Sequence, residues 1–396
     1  PTSVGIDTWG VDFALLDSNG NLAAPAVAYR DNRTEGMDIE VCKFISEADL
    51  YTRTGNQKLI LNTIYQLMAL KINTPQVFDS AAHLLMTPDY LHYRLSGIMK
   101  NEYTIASTSA LVGASSRVWD DEVINKCGFP RDIFCDIVPA GTVLGGLTDA
   151  IRLELGYDCM VVMPPSHDTA SAFLAVPAKS NDSVYISSGT WSLLGVELFD
   201  PITSKASFEA NFSNEGGYEY RYRYLKNIAG LWILQSVRKE LYEHLSYAEL
   251  ADMARESDYD VLFDVNDERF FAPDSMASAV REVCREGGQN EPQYPGDFAR
   301  CICNSLAVSY AETIETLQAL TGKRYSSINI IGGGSENQFL NEATAKACML
   351  PVYAGPTEGT ALGNIVSQMI ANGELAGIDD ARATIRRSFE IREVLP

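Results

Sequence analysis

Apolar and polar positions alternate through SVGIDTWGVDFALLD, pause at Ser18-Asn19-Gly20, and resume in NLAAPAVAY. Alternation with period two predicts strands, and Asn19-Gly20 is a strong hairpin signal. Beyond the polar loop YRDNRT the period lengthens. LNTIYQLMALKI and TPDYLHYRLSG read as helices, the second entered at Thr87-Pro88 and stopped at Gly97. EYTIASTSALVGASSRVWD is rich in hydroxyls, has no clean period, and is expected to cover a surface or a cleft. IVPAGTVLGGLT reads as strand and turn, and CMVVMPPSHDTASAFLAV as a buried strand, a Pro-Pro turn and a helix.

A second strand-rich region opens at SVYISSGTWSLLGVELFD. EYRYRYLKNIAGLWILQSVRKEL runs from strand into helix, and DFARCICNSLAVSYAETIETLQALTG is a long helix. INIIGGGSENQFLNEATAKACM is strand, glycine turn and helix, with TEGTALGNIVSQMI as a final helix. Strands alternating with helices in two blocks predict an α/β chain of two domains, each a sheet covered by helices. The joint falls in VPAKSNDS, giving 1–176 and 183–396, and a ligand cleft is expected between the two.

Composition narrows the functions. Thirty-one basic against 52 acidic residues give a formal charge of −21, which argues against a general nucleic-acid or anionic-membrane surface. No apolar run approaches the roughly 20 residues of a membrane span, and no signal-type segment opens the chain. Eight cysteines show neither CxxC pairing nor a nearby His, so a zinc site is not expected and a cytoplasmic enzyme with scattered thiols is. Cys284 and Cys301 bracket a polar loop, which leaves a bridge between them open. The chain starts without Met and already in strand-like alternation, which points to residues upstream.

Three turns could carry chemistry. In SHDTASAF, Asp168 has two readings: a carboxylate serving the free N–H groups of a helix start, or a base. Ser166, His167 and Asp168 do not make a hydrolase triad, because adjacent side chains cannot converge on one point. Ser187, Ser188, Gly189 and Thr190 form a hydroxyl-rich turn that could face a phosphate or simply close a hairpin. Gly332, Gly333 and Gly334 let a flat ligand approach the backbone, yet Asn337 stands where a dinucleotide fingerprint needs Gly. All these turns, with that of GIDTWG, fall at strand ends, where ligand sites of α/β proteins collect.

GIDTWGVDF, AYRDNRT, PDYLHYRLSG, SHDTASA, SSGTWSLLG, NEGG, LKNIAGLW, IIGGGSEN and AGPTEGTALGN together resemble the FGGY family of carbohydrate kinases over nearly the whole chain. The resemblance implies two actin-like (ribonuclease H-like) domains with sugar and ATP meeting in the cleft between them. GIDTWGVDF with SHDTASA points to the branch acting on L-rhamnulose, and so to ATP- and Mg2+-dependent phosphorylation at O1. By that resemblance Asp168 is the catalytic base, and Gly10, His167, Asp168, Thr169 and Asn227 contact sugar. Thr190, Gln235 and Gly333 contact nucleotide, the metal ligands stay unassigned, and the Asp31 to Arg33 loop lines the sugar pocket. Relatives open with an Asp-Gly-rich hairpin that faces the phosphates. No counterpart precedes Pro1, so reduced turnover is an expectation for this chain. The alternatives are another FGGY ketose kinase, for L-fuculose or xylulose, and a sugar- or nucleotide-binding module without turnover.

Overall fold

The computed structural model describes residues 1–271 and 273–396. Its backbone contacts group the chain into two compact units. The first collects 1–175, 197–225 and 360–383; the second collects 176–196, 226–359 and 384–396.

In the first unit a short sheet runs Ser3–Val4, Met160–Met163, Thr142–Gly146, the first pair parallel and the second antiparallel. Met160–Met163 is followed by Pro164 and Pro165, which cannot continue a strand ladder, and the helix Asp168–Ala175 starts after them. Val161, Val162 and Met163 are buried, as are all residues of that helix beyond Asp168. A second core joins Phe13 and Leu15 to Ile64, Leu67 and Met68 on helix Thr63–Asn73, with Leu84, Met86 and Leu111. Thr87–Ser96 is a helix with Pro88 in its first turn and Gly97 in the left-handed conformation just past its end, as the sequence predicts.

Two expectations need correction here. The Ser/Thr-rich stretch is a cover only in its second part: residues 101–114 are buried without exception, while Ser115, Ser116 and Val118 are exposed. Its hydroxyls are satisfied locally, Ser107 Oγ donating to the Thr104 carbonyl at 2.7 Å and Thr108 Oγ1 to that of Ile105 at 2.8 Å. Hydroxyls paired this way bury at little cost, which the absence of a period conceals. The Asn19-Gly20 turn forms, but its return strand shrinks to one bridge, Leu16 with Leu22, because Phe13–Leu16 pairs along its length with His83–Met86.

In the second unit the strand order is Trp191–Leu198, Ser183–Ser188, Ser327–Ile331, Val352–Ala354, Arg392–Val394. The first and last pairs are antiparallel and the middle two parallel. The 27-residue helix Pro295–Thr321 covers the sheet's unit together with Tyr247–Glu256 and Gln338–Cys348. Gly359–Ala371 is not the final helix: Ile378–Ser388 and the strand Arg392–Val394 follow it. All eight cysteines are free, Cys284 and Cys301 included. Among the described residues no helix is long and apolar enough to cross a membrane.

Two carboxyls, Asp89 and Glu102, are wholly buried side by side. Glu102 accepts from the N–H groups of Thr104, Ile105 and Ser166 at 2.8, 3.2 and 2.9 Å, tying the start of helix Tyr103–Ala106 to the segment before His167. Burial still pushes Glu102 up to about 7. Asp89 accepts only the Glu102 N–H, its second oxygen is unpartnered, and burial plus the Glu102 charge hold its pKa well above the usual 3.8. A carboxyl raised on folding stabilises the fold at low pH, and that contribution is lost as pH rises above its unfolded value. Asp89→Asn is therefore expected to flatten the fall in stability between about pH 4.5 and about pH 7.5. Urea unfolding of both proteins at the two pH values checks this; an unchanged slope would contradict it.

Candidate functional site

In the first unit the segment around Thr8 runs parallel to the turn before helix Asp168–Ala175. The Thr8 N–H donates to the Ser166 carbonyl at 3.0 Å, and the Asp168 N–H donates to the Thr8 carbonyl at 2.8 Å. GIDTWG is thereby stitched to SHDTA, which brings Gly10 into the neighbourhood of His167, Asp168 and Thr169. At Gly10 the chain turns sharply: its carbonyl accepts from the Asp12 N–H at 2.9 Å, and Val11 sits at φ 68°, a strained value for a β-branched residue. Thr108 holds the turn, its Oγ1 accepting the Val11 N–H at 3.0 Å.

Asp12, nearly buried, anchors the surrounding wall. It accepts from the Trp9 indole at 2.8 Å, the Tyr29 N–H at 3.2 Å and the Gln66 amide at 3.1 Å. Gln66 also receives Arg33 Nη2 at 2.6 Å, so the Asp31 to Arg33 loop is tied to the same turn. Trp9 remains 49% exposed, offering an aromatic face.

Asp168 is not a conventional helix cap. The N–H groups of Ala170 and Ser171 go to the His167 carbonyl, at 2.7 and 3.1 Å. The carboxylate takes only Thr169, through its N–H at 2.6 Å and its hydroxyl at 3.1 Å, both on Oδ1. Its side chain is 43% exposed, against 10% for His167, 8% for Glu215 and 0% for Arg223. The acid is open and everything behind it is packed.

Behind it lies a charged stack that sequence reasoning missed. Arg223 Nη2 forms an ion pair with Glu215 Oε2 at 3.0 Å and donates to His167 Nδ1 at 2.9 Å, and Nε donates to the Gly216 carbonyl at 2.8 Å. Burial alone would raise the Glu215 carboxyl; the Arg223 guanidinium and His167 outweigh it and hold it down at about 2. Asp7, also unassigned from the sequence, accepts from the Asn364 amide at 2.5 Å, and burial raises its pKa, with the Asp168 charge adding to the effect. Asn364 is fixed by Gln368 at 2.6 Å, and Gln368 by Ser3 at 2.8 Å. NEGG and GIDTWG were conspicuous motifs, but nothing local reveals that Glu215 and Arg223 face a histidine some 50 positions away.

In the second unit the Ser188–Trp191 turn, helix Trp232–Leu241 and the glycine turn after Ser327–Ile331 come together. The Leu231 and Trp232 N–H groups donate to the carbonyls of Gly189 and Thr190, at 3.0 and 3.2 Å. Gly230 permits this docking: a Cβ there would lie 2.5–2.8 Å from the backbone of Trp191, Thr190 and Gly189. On the other side a Cβ on Gly334 would meet Ser188 Oγ at 1.9 Å, so only glycine lets the two turns touch. Thr190 and Gly333 are exposed at this junction and Gln235 is one turn into the helix. Asn227 lies half-buried on Tyr222–Ala229, three residues before Gly230. Exposed backbone N–H groups and a hydroxyl beside a helix start are suited to phosphate oxygens. Among the described residues no group of three or more His, Cys, Asp or Glu is placed to hold a metal ion.

A carboxylate open to solvent suits a proton acceptor, and a glycine- and hydroxyl-lined turn suits phosphate oxygens. The profile for the N-terminal domain of the FGGY family of carbohydrate kinases matches residues 1–175, and that for the C-terminal domain matches 184–372; the chain belongs to this family. It is 44% identical to proteins named rhamnulokinase from Oceanobacillus iheyensis and Halalkalibacterium halodurans. Each alignment covers 99% of this chain, and 83% and 84% of the respective relative. Among solved structures, the Lactobacillus acidophilus xylulose kinase aligns with a TM-score of 0.80 at 15% identity, over 100% of this chain and 80% of that one. Plasmodium falciparum glycerol kinase with ADP aligns at 0.80 and 14%, over 99% and 79%. At such identities the structures establish the two-domain α/β sugar-kinase fold, the actin-like class the sequence suggests.

Proposed function

We propose that the chain transfers the γ-phosphoryl group of ATP to O1 of L-rhamnulose, with Asp168 as the base. The observation that carries this is the open Asp168 carboxylate held beside a buried, fully braced His167, in a chain 44% identical to two named rhamnulokinases. The sugar O–H gives its proton to Asp168, its oxygen bonds to the γ-phosphorus, and the bond from that phosphorus to the ADP oxygen breaks. Such transfer asks the protein mainly for alignment and charge compensation.

Gly10, His167, Thr169 and Asn227 are the sugar-side residues in this reading; Thr190, Gln235 and Gly333 are the nucleotide-side ones. Mg2+ in such sites is held by one or two carboxylates together with phosphate oxygens and water. Asp7, whose charge couples to that of Asp168, is a carboxylate that fits this modest donor set. When bound, the ion would offset charge on the phosphate oxygens. The protein would work in the cytoplasm, where ATP is made.

A coupled ADP-release assay with L-rhamnulose, L-fuculose and D-xylulose tests the reading, run beside calorimetric titration with ketose and ADP. Preference for L-rhamnulose supports it. Preference for another ketose would assign a neighbouring kinase, and binding without ADP release would make the chain a binding module. Thr190→Ala is expected to raise the KM for ATP by about tenfold, the loss of one hydrogen bond to a charged group, with a smaller change for sugar. Equal effects on both would count against the phosphate role. Asn227→Ala should weaken ketose binding, read by the same titration.

A further inference from the structure

His167 makes two contacts with different chemical consequences. Its Nδ1 is 2.9 Å from Arg223 Nη2, and its Nε2 is 3.4 Å from Asp168 Oδ1. We propose that Arg223, clamped by Glu215, is a positioning residue that fixes His167 in the tautomer carrying its proton on Nε2, so that the imidazole presents a donor beside the Asp168 carboxylate. A guanidinium has five donors and no acceptor. A ring nitrogen at hydrogen-bond distance from it must accept, which excludes a proton on Nδ1 in either the neutral or the doubly protonated ring. The remaining proton is then on Nε2.

The competing partner is Glu215, whose Oε2 is 3.4 Å from Nδ1 and would favour a proton there. Two observations decide against it. The arginine is nearer, and Glu215 Oε2 makes no hydrogen bond to the ring at that distance, pairing with Arg223 by charge at 3.0 Å. Arg223 is wholly buried with Nε on the Gly216 carbonyl, and the backbone N–H of His167 donates to Thr104 Oγ1 at 3.2 Å, which fixes the points from which the two side chains meet.

At the other ring nitrogen, 3.4 Å is longer than an ordinary N–H···O bond. The Nε2 proton is therefore still available to a ligand. A sugar hydroxyl entering there could accept from Nε2–H while donating its own proton to Asp168, the orientation a base needs before it removes that proton. This last step rests on the function proposed above; the tautomer does not.

Long-range 1H–15N NMR on the full chain, labelled in histidine, reads the tautomer without turnover. The chain has four histidines, so a His167→Gln spectrum assigns the signal. The expected result is an unprotonated Nδ1 and a protonated Nε2; a proton on Nδ1 would overturn the proposal. Glu215→Gln should keep the pattern, because Arg223 still donates. A switch on that substitution would give control to Glu215 and equally overturn it. In Arg223→Met the proton should move to Nδ1, facing Glu215, and the KM for ketose should rise about tenfold with the KM for ATP within about twofold. An unmoved proton in a folded Arg223→Met protein would refute Arg223 as the cause, and should that protein not fold, the wild-type and Glu215→Gln spectra decide. If the wild type shows the expected tautomer but phosphorylates no ketose, the functional reading fails and the tautomer assignment stands.

Discussion

Asp168→Asn is expected to reduce turnover by about 10²–10⁴-fold, the usual contribution of a positioned proton acceptor, while ketose affinity and stability change little. The geometry separates these effects. Asn retains an oxygen for the Thr169 N–H and hydroxyl, which hydrogen-bond to the acid. The side chain is 43% exposed, so exchanging a charge for an amide costs little in solvation. What is lost is an acceptor for the sugar proton and a negative group near the reacting oxygen. Steady-state kinetics and calorimetry on the variant decide the matter: near-normal turnover would remove Asp168 from its proposed role.

Glu215→Ala should act in the opposite way, on the fold. Arg223 is wholly buried and Glu215 is its counter-charge at 3.0 Å. Removing one member of such a pair leaves an uncompensated charge and typically costs about 3–5 kcal/mol. Urea unfolding with linear extrapolation reads the loss; a change below about 1 kcal/mol would show that the guanidinium finds another partner. The pH dependence has a definite sign. Because Glu215 is held at about 2 in the folded chain against 4.5 when unfolded, its contribution is complete above 4.5 and disappears as pH falls toward 2. The wild type should therefore lose stability across that window more steeply than Glu215→Ala.

Comparison of these residues shows what sequence can and cannot reveal. Met160–Met163, its Pro-Pro turn and the helix from Asp168 were legible because apolar runs and prolines are local signals, and Thr87–Ser96 was legible from its capping residues. Asp168 and Thr190 could be singled out because each sits at a strand-to-helix or strand-to-strand turn. Arg223 was invisible as a partner of His167: in RYRYLKN it reads like any polar residue of an alternating strand, and only the tertiary fold turns it inward. Asn364 closes the motif AGPTEGTALGN, yet nothing local shows that it meets Asp7, which the fold alone brings beside it. Residues 101–114 defeated the period because they bury hydroxyls along with aliphatics. Ile378–Ser388 was missed because its ends are charged, Asp379 and Asp380 first and Arg386 and Arg387 last, which suits a helix dipole but hides the short buried face of Ile378, Ala381 and Ile385.

The first unit draws on three separated stretches of chain, and this bears on how the protein can be dissected. A fragment trimmed at residue 175 would keep Asp168 and His167 but leave behind Glu215, Arg223 and Asn364, which belong to the later stretches. The histidine would then be without its guanidinium and Asp7 without its amide. Genetic complementation between two halves would have to restore those neighbours as well as the backbone, so co-expressed pieces and not isolated ones are the meaningful comparison.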